Sequence, residues 1–284
     1  MALQDVRDKF RRGSANAKQL VSERKLSIVS LNKSVLPVAE TRKTVKRGRN
    51  GSKEITLPLE WLPDPAITLE ETQKSFDQAM KIWREDQTRL MVLLALEYQK
   101  CKVSWKITKA VCLATGSFTA LNHARNRQAL LQLACCIDIA RYLSPDVQIY
   151  AQDPVYHDLD KTFLLAQGVT PLEVVANEAP DLGAAVEHIT PSTIVFEYFL
   201  SMNAMQLLEG LKACPAIYVG VQLWDLHLGG WQLPRNKPFV SAAKEMLAKY
   251  DTFCFPKSKD LHNFERLRVH WRMPPGWENN TNKT

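Results

Sequence analysis

No apolar run in the chain approaches the about 18 residues that a membrane-spanning helix needs. The longest, Leu90–Leu96, falls far short, so no membrane partner is expected. The opening residues, MALQDVRD, have no apolar centre, and no secretory signal is expected there. The chain has no C-x-x-C pair. Its six cysteines, Cys101, Cys112, Cys135, Cys136, Cys214 and Cys254, lie mostly in apolar segments. That excludes a disulfide framework or a zinc knuckle and reads as buried thiols in a reducing compartment. The six histidines, His123, His157, His188, His227, His262 and His270, show no metal-ligand spacing, so no metal site is expected. No repeat of 20–50 residues is visible, which excludes solenoids and propellers. What remains is a 284-residue chain, 45% apolar and 24% charged, with the composition of an ordinary soluble globular protein.

Charge is unevenly placed. Residues 1–56 hold 14 Lys and Arg against 5 Asp and Glu, a net of +9, whereas the remaining 228 residues carry a net of −2. The first stretch is rich in Ser, Lys, Arg and Asn and poor in aromatics. It cannot bury enough surface to offset its ordering entropy, and a disordered basic tail is expected over 1–56, with a folded domain over 57–284. The densest run, Arg42–Arg49, is either a solvated tail or a nuclear-import or nucleic-acid patch, and it is the sole expected contact with nucleic acid.

Past an extended, proline-punctuated arm at 57–65, Thr68-Leu-Glu-Glu71 is a capping-box pattern that opens a helical segment running to Tyr98, in one piece or two. From Val103 onward, strands and helices alternate. Val111–Ala114 is an apolar run suited to a strand buried on both faces. Asn122–Leu143 carries a helical stripe through Leu130, Leu133, Ala134, Ile137 and Ala140. Val147–Ala151 is a second strand, Asp158–Gln167 a helix stopped by Gly168, and Leu172–Ala176 a third strand. Thr193–Phe196, a short helix over Ala204–Leu211, Ala216–Val219 and a helix over Phe239–Tyr250 follow. Thr252–Phe255 and Leu267–Trp271 read as two last strands, antiparallel to each other. The fold class expected is α/β: a Rossmann-like, mostly parallel, doubly wound sheet of about seven strands with an antiparallel pair at its end.

The chemistry-bearing feature is the turn after the first strand, Thr115-Gly-Ser-Phe118, with a carboxylate, Asp153, at the end of the second. In such sheets that turn meets an anion or nucleotide at a helix N-terminus, and the acid accepts from ribose hydroxyls. The candidate ligand-binding residues are Thr115, Gly116, Ser117, Phe118, Asp153, Pro154 and Tyr156, with Tyr156 placed to stack on a ring. Arg125 and Arg127 are candidate anion supports. Against G-x-G-x-x-G the glycine positions read Ala114, Gly116 and Thr119, so only the middle one is kept. Gly116 is thus either a plain turn or a ligand contact, and Asp153 either a ribose contact or a cap of the next turn. Ser117 lacks the G-x-S-x-G frame of a nucleophile elbow and is expected to cap the following helix. His157 beside Asp158 and Asp160, and His188 beside Glu187, are the acid–base pairs on offer; as sequence neighbours in loops they read as solvated. Gln222–Trp231, with two tryptophans around Gly229-Gly230, is either a flap over the strand ends or a packed surface loop.

Lys109-Ala-Val-Cys-Leu-Ala-Thr-Gly-Ser-Phe118 resembles the signature strand and turn of the sensitivity-to-red-light-reduced (SRR-like) family, which shows Leu-Gly-x-Gly-Ser there. The similarity continues through Arg127-Gln128, Tyr150–Tyr156, Leu164–Val169, Thr193–Phe196 and Phe264–Trp271, spanning about 107–271. Tyr150–Pro154 and Ala216–Gly220 are most similar to the fungal branch. The resemblance implies a cytosolic and nuclear regulatory protein with protein partners and no defining enzymatic activity. Relatives act in light and clock signalling in plants, haem-related regulation in animals, and cytoskeletal or proteasome functions in yeast. The first glycine of the family's turn is Ala114 here.

Two functional classes stand open at this level. One is a regulatory or interaction protein on a Rossmann-like domain. The other is an S-adenosylmethionine-dependent, methyltransferase-like enzyme, since a strand pair at the end of such a sheet is typical of that fold. The cofactor on the second reading is S-adenosylmethionine or another nucleotide.

Overall fold

A computed structural model describes residues 59–174, 182–198, 211–221, 237–261 and 264–274. The basic tail 1–56, most of the expected helix 204–211 and the 222–231 segment lie outside the described residues.

The chain enters through a single 3-10 turn, Leu59–Trp61, and an extended arm to Ile67. Helix α1, Leu69–Glu85, opens on the expected capping box: Thr68 Oγ1 accepts from Glu71 N at 3.2 Å, and Glu71 Oε2 accepts from Thr68 N at 2.9 Å. The helical segment is in two pieces. It breaks at Asp86, whose extended backbone ends α1 and whose side chain caps α2, Gln87–Lys100, by accepting from Thr88 N at 2.7 Å. Strand β1, Lys109–Leu113, then leads to helix α3, His123–Leu143, capped by Asn122. Strand β2, Gln148–Gln152, precedes helix α4, Asp158–Ala166, which stops at Gly168 with φ of 71°. Strands β3, Val169–Pro171, β4, Thr193–Glu197, and β5, Ile217–Gly220, are followed by helix α5, Lys237–Leu247. The chain closes with strands β6, Tyr250–Cys254, and β7, Arg268–Arg272.

The seven strands form one sheet in the order β3-β2-β1-β4-β5-β7-β6. The pairs β1–β2, β1–β4, β2–β3 and β4–β5 are parallel; β7 runs antiparallel between β5 and β6. The third strand differs from expectation. The apolar run from Leu172 is not the paired segment; Val169–Pro171 pairs with Ile149–Ala151 instead. As an edge strand that ends in proline, β3 needs few residues and little apolar bulk.

Both faces of the sheet are covered, as parallel strands require. β1 alternates between two cores: Ala110 and Cys112 join α1, α3 and α4, while Val111 and Leu113 join α5 and the 3-10 turn Gly183–His188. Helix α3 is buried along most of its length because it lies between the sheet and α1. Asp138 within it is 9% exposed, and its carboxylate accepts from Trp83 Nε1 at 3.0 Å and pairs with Arg89 at 2.6 Å. Cys112, Cys135 and Cys136 are fully buried between β1 and α3. Burial pushes the Cys135 and Cys136 thiols far up, which keeps them protonated and unreactive. Cys101 and Cys254 are exposed. Among the described residues no helix is long and apolar enough to cross a membrane, and no group of three or more His, Cys, Asp or Glu is placed to hold a metal.

Candidate functional site

Strand β1 is flanked by β2 on one side and β4 on the other, so the order of the sheet reverses at its carboxyl end. This is the crevice where open α/β sheets bind ligands. Two left-handed residues make the turn there, Ala114 with φ of 58° and Gly116 with φ of 82°. Glycine adopts that backbone freely, whereas alanine does so at a cost of roughly 1–2 kcal/mol. The turn is pinned at both sides: Ala114 N donates to Gln152 O at 3.1 Å, and Tyr198 N donates to Leu113 O at 3.2 Å.

Three backbone N–H groups of this turn, those of Gly116, Phe118 and Thr119, are satisfied by the chain's own side chains. Gly116 N donates to Asp153 Oδ2 at 2.8 Å, Phe118 N to Asp160 Oδ1 at 2.9 Å, and Thr119 N to Ser117 Oγ at 3.1 Å. Asp153 is 8% exposed and accepts also from Val155 N at 3.0 Å. Burial is the main force on it and raises its carboxyl to about 6; the two N–H groups pull the other way, and the Asp160 charge adds to the rise. Asp160 has no exposed surface. Its two oxygens accept from Ser117 Oγ at 2.8 Å, Thr119 Oγ1 at 2.9 Å, Phe118 N at 2.9 Å and His157 N at 2.8 Å. The carboxylates of Asp153, just past β2, and Asp160 in α4 therefore accept from Gly116 N and Phe118 N, where an anion's oxygens would accept.

The remaining candidates fall into place around this knot. Thr115 Oγ1 lies 2.6 Å from Tyr156 Oη, and burial pushes that phenol well above its ordinary range. The Tyr156 ring rests on Phe118 with centroids 5.5 Å apart, so it is engaged within the core. Pro154 is exposed at the rim. Ser117 does not cap α3: Asn122 does, accepting from Arg125 N at 3.2 Å, because the helix begins six residues after the serine. The His157 ring makes no acid–base pair with Asp158 or Asp160. Its Nε2 lies 2.7 Å from the carbonyl oxygen of Trp61, so the ring nitrogen donates there. His188 stacks on Tyr150 at 3.9 Å, and burial lowers its affinity for a proton.

The entry arm lies over the turn. Asp64 N donates to Thr119 O at 2.8 Å, and Leu121 N to Leu62 O at 2.9 Å, with Pro63 and Ala120 forming a single antiparallel bridge. The Trp61 ring covers Gly116 so closely that a Cβ there would stand 3.3 Å from it. The Arg125 guanidinium sits over the same indole, 4.7 Å from the ring centroid, and pairs with Glu60 at 3.0 Å. Arg127 is exposed.

Three residues escaped the sequence reading. Asp160 showed only as a neighbour of His157. Its place in the first turn of α4 marks it as a helix-end acid, but its bonds to Ser117, Phe118 and Thr119 cross more than 40 residues. Trp61 reads in the sequence only as part of the extended, proline-punctuated arm, with no role at the turn. Glu197, the last residue of β4, is fully buried at the same sheet edge, where its Oε2 accepts from Tyr218 Oη at 2.9 Å and Val221 N at 3.0 Å.

A model of the SRR1 domain matches residues 74–271. No curated protein matches the chain. Among solved structures, the plantazolicin methyltransferase BpumL in complex with SAH and a monoazolic desmethylPZN analogue is similar at 9% identity and a TM-score of 0.33, covering 72% of this chain and 96% of the other. A putative methyltransferase from Thermobifida fusca YX is similar at 8% identity and a TM-score of 0.32, covering 72% of this chain and 83% of the other.

Proposed function

The chain belongs to the SRR1 domain family, and on that footing we propose that it is a regulatory, protein-binding module, responsive to an anionic or nucleotide-like ligand at the first strand–helix turn, and not a catalyst. The observation that carries this reading is the knot at the turn. The N–H groups of Gly116, Phe118 and Thr119 point at Asp153, Asp160 and Ser117. Donors committed to buried carboxylates do not stabilise charge developing on a substrate. The nearby titratable side chains likewise serve the fold: Tyr156 bonds Thr115, and His157 holds the arm. Helix α2 presents Leu90, Leu94 and Tyr98 at four-residue spacing, 55%, 53% and 43% exposed, an apolar stripe in keeping with an interaction role. The ligand contacts we assign are Thr115 to Phe118, Asp153, Pro154 and Tyr156 as the frame of the site, with Arg125 and Arg127 for an anion. The basic tail 1–56 serves localisation to the cytoplasm or nucleus, with Arg42–Arg49 as its nucleic-acid or import patch, ahead of a domain over 57–284. Tyr150–Pro154 and Ala216–Gly220 favour the fungal branch.

The second reading, an S-adenosylmethionine-dependent enzyme, is favoured by the sheet's ending, with antiparallel β7 inserted between β5 and β6. A thermal-shift experiment on the full chain separates the two. A ligand at 100 times its Kd adds about 2.7 kcal/mol, or roughly 5–10 °C in Tm for a domain of this size. The regulatory reading expects no shift with S-adenosylmethionine or S-adenosylhomocysteine. A shift with either that is lost in Asp153→Ala replaces it with the methyltransferase reading.

A further inference from the structure

The arm at 59–65 is built differently from the domain it lies on. Trp61 and Leu62 are half-buried and Pro63 and Pro65 exposed, and none of them belongs to either core. Prolines at 63 and 65 remove two backbone donors, so the arm's main chain is held to the body through Leu62 O, Asp64 N and the carbonyl of Trp61. Its two polar side-chain contacts with the body, Glu60 with Arg125 and Asp64 with His123 at 3.4 Å, each involve an exposed partner open to solvent. Such a segment lifts off without unfolding the sheet.

What it covers is chemically particular. A planar heteroaromatic ring lies against the bare face of Gly116 and under the Arg125 guanidinium. A carboxylate next to that ring in sequence satisfies the same guanidinium. A hydrogen-bond acceptor on the same unit meets His157 Nε2. Ring, anion and acceptor in this arrangement are the parts of a nucleotide. We infer that Glu60 and Trp61 act as an intramolecular nucleotide mimic, and that a nucleoside monophosphate competes with the arm for the face formed by Gly116, Arg125 and His157. The phosphate takes the place of the Glu60 carboxylate on Arg125. It does not enter the turn, whose N–H groups remain on Asp153 and Asp160. The arm then reports ligand by leaving. This inference rests on the turn's being the regulated site; it adds the ligand class and the residue that is displaced.

A ligand that must first expel an internal occupant binds more weakly by the fraction of molecules in which the site is open. Calorimetric titration of the full chain with adenosine monophosphate tests this, with adenosine and inorganic phosphate as separate arms. Trp61→Ala should bind the nucleotide about ten- to a hundredfold tighter than wild type, and adding Arg125→Gln should abolish the gain. Adenosine alone and phosphate alone should each bind more weakly than the monophosphate. Glu60→Gln, a change at an exposed side chain that leaves the indole in place, should also tighten binding several-fold by freeing Arg125, so the test does not depend on how well Trp61→Ala folds. Unchanged affinity in Glu60→Gln together with unchanged or absent binding in folded Trp61→Ala overturns the inference. The S-adenosylmethionine and S-adenosylhomocysteine outcomes are separate readouts, because neither ligand carries the phosphate that Arg125 would take, so the two proposals fail separately.

Discussion

Asp153 gives the most direct handle on the closed turn, because its carboxyl is raised by burial to about 6 from an ordinary 3.8. The folded protein thus holds the Asp153 proton more tightly than the unfolded chain does. Protonation stabilises the fold, and stability is lost as pH rises from about 3.8 through about 6, with no further change from this group above that. A difference of roughly two pKa units corresponds to about 3 kcal/mol over the whole window, of which about 2 kcal/mol falls between pH 4.5 and 8. Other groups titrate in the same range, so the informative quantity is wild type minus Asp153→Asn. The amide does not ionise, and it retains an acceptor for one of the two N–H groups, Gly116 or Val155, that the carboxylate serves. The orphaned N–H costs about 1–3 kcal/mol at every pH. Urea unfolding of both proteins at half-unit steps from pH 4.5 to 8 should therefore show the variant less stable at the acid end. The gap should narrow by about 2 kcal/mol toward neutrality, as the wild-type carboxylate ionises in its buried place. A gap that stays constant to within about 0.5 kcal/mol, or that widens with pH, would refute the account of Asp153 as a carboxylate held against its desolvation.

The same turn yields a stabilising change: Ala114→Gly should raise stability by about 1 kcal/mol in urea unfolding, because φ of 58° is strained for alanine and free for glycine. Asp160→Asn turns one acceptor oxygen into a donor within a four-donor cradle and should cost about 3 kcal/mol or more; a loss under 1 kcal/mol would show that the knot contributes little. At the other end of the crevice, a Cβ on Gly220 would stand 2.5 Å from Tyr218 Oη and 2.7 Å from Glu197 Oε2. Gly220→Ala should lower stability by about 1–3 kcal/mol, and by less in a Tyr218→Leu background, where both the hydroxyl and the ring Cζ, 2.7 Å from that Cβ, are gone; equal costs in both backgrounds would place the strain elsewhere.

Local rules wrote much of this fold directly into the sequence. The Thr68–Glu71 box and Gly168 marked helix ends within a residue or two because a cap is a bond between near neighbours, whereas the cap of α3, expected at Ser117, is Asn122. The apolar runs of β1, β4 and β5 marked central strands because both faces of such strands are buried. β3 was misread because a three-residue edge strand buries too little to leave a pattern. The site divides in the same way. Gly116 and Asp153 were visible as a turn and an acid at successive strand ends, the part of the site that topology fixes. The sequence by itself thus determined the sheet, its helical cover and the position of the crevice. Only the tertiary structure decided what fills that crevice. Asp160 reaches Ser117 across 43 residues and His157 reaches Trp61 across 96. Bonds of that span follow no periodicity; they exist because the sheet brings distant strand ends together and leaves their polar groups to one another where water is excluded.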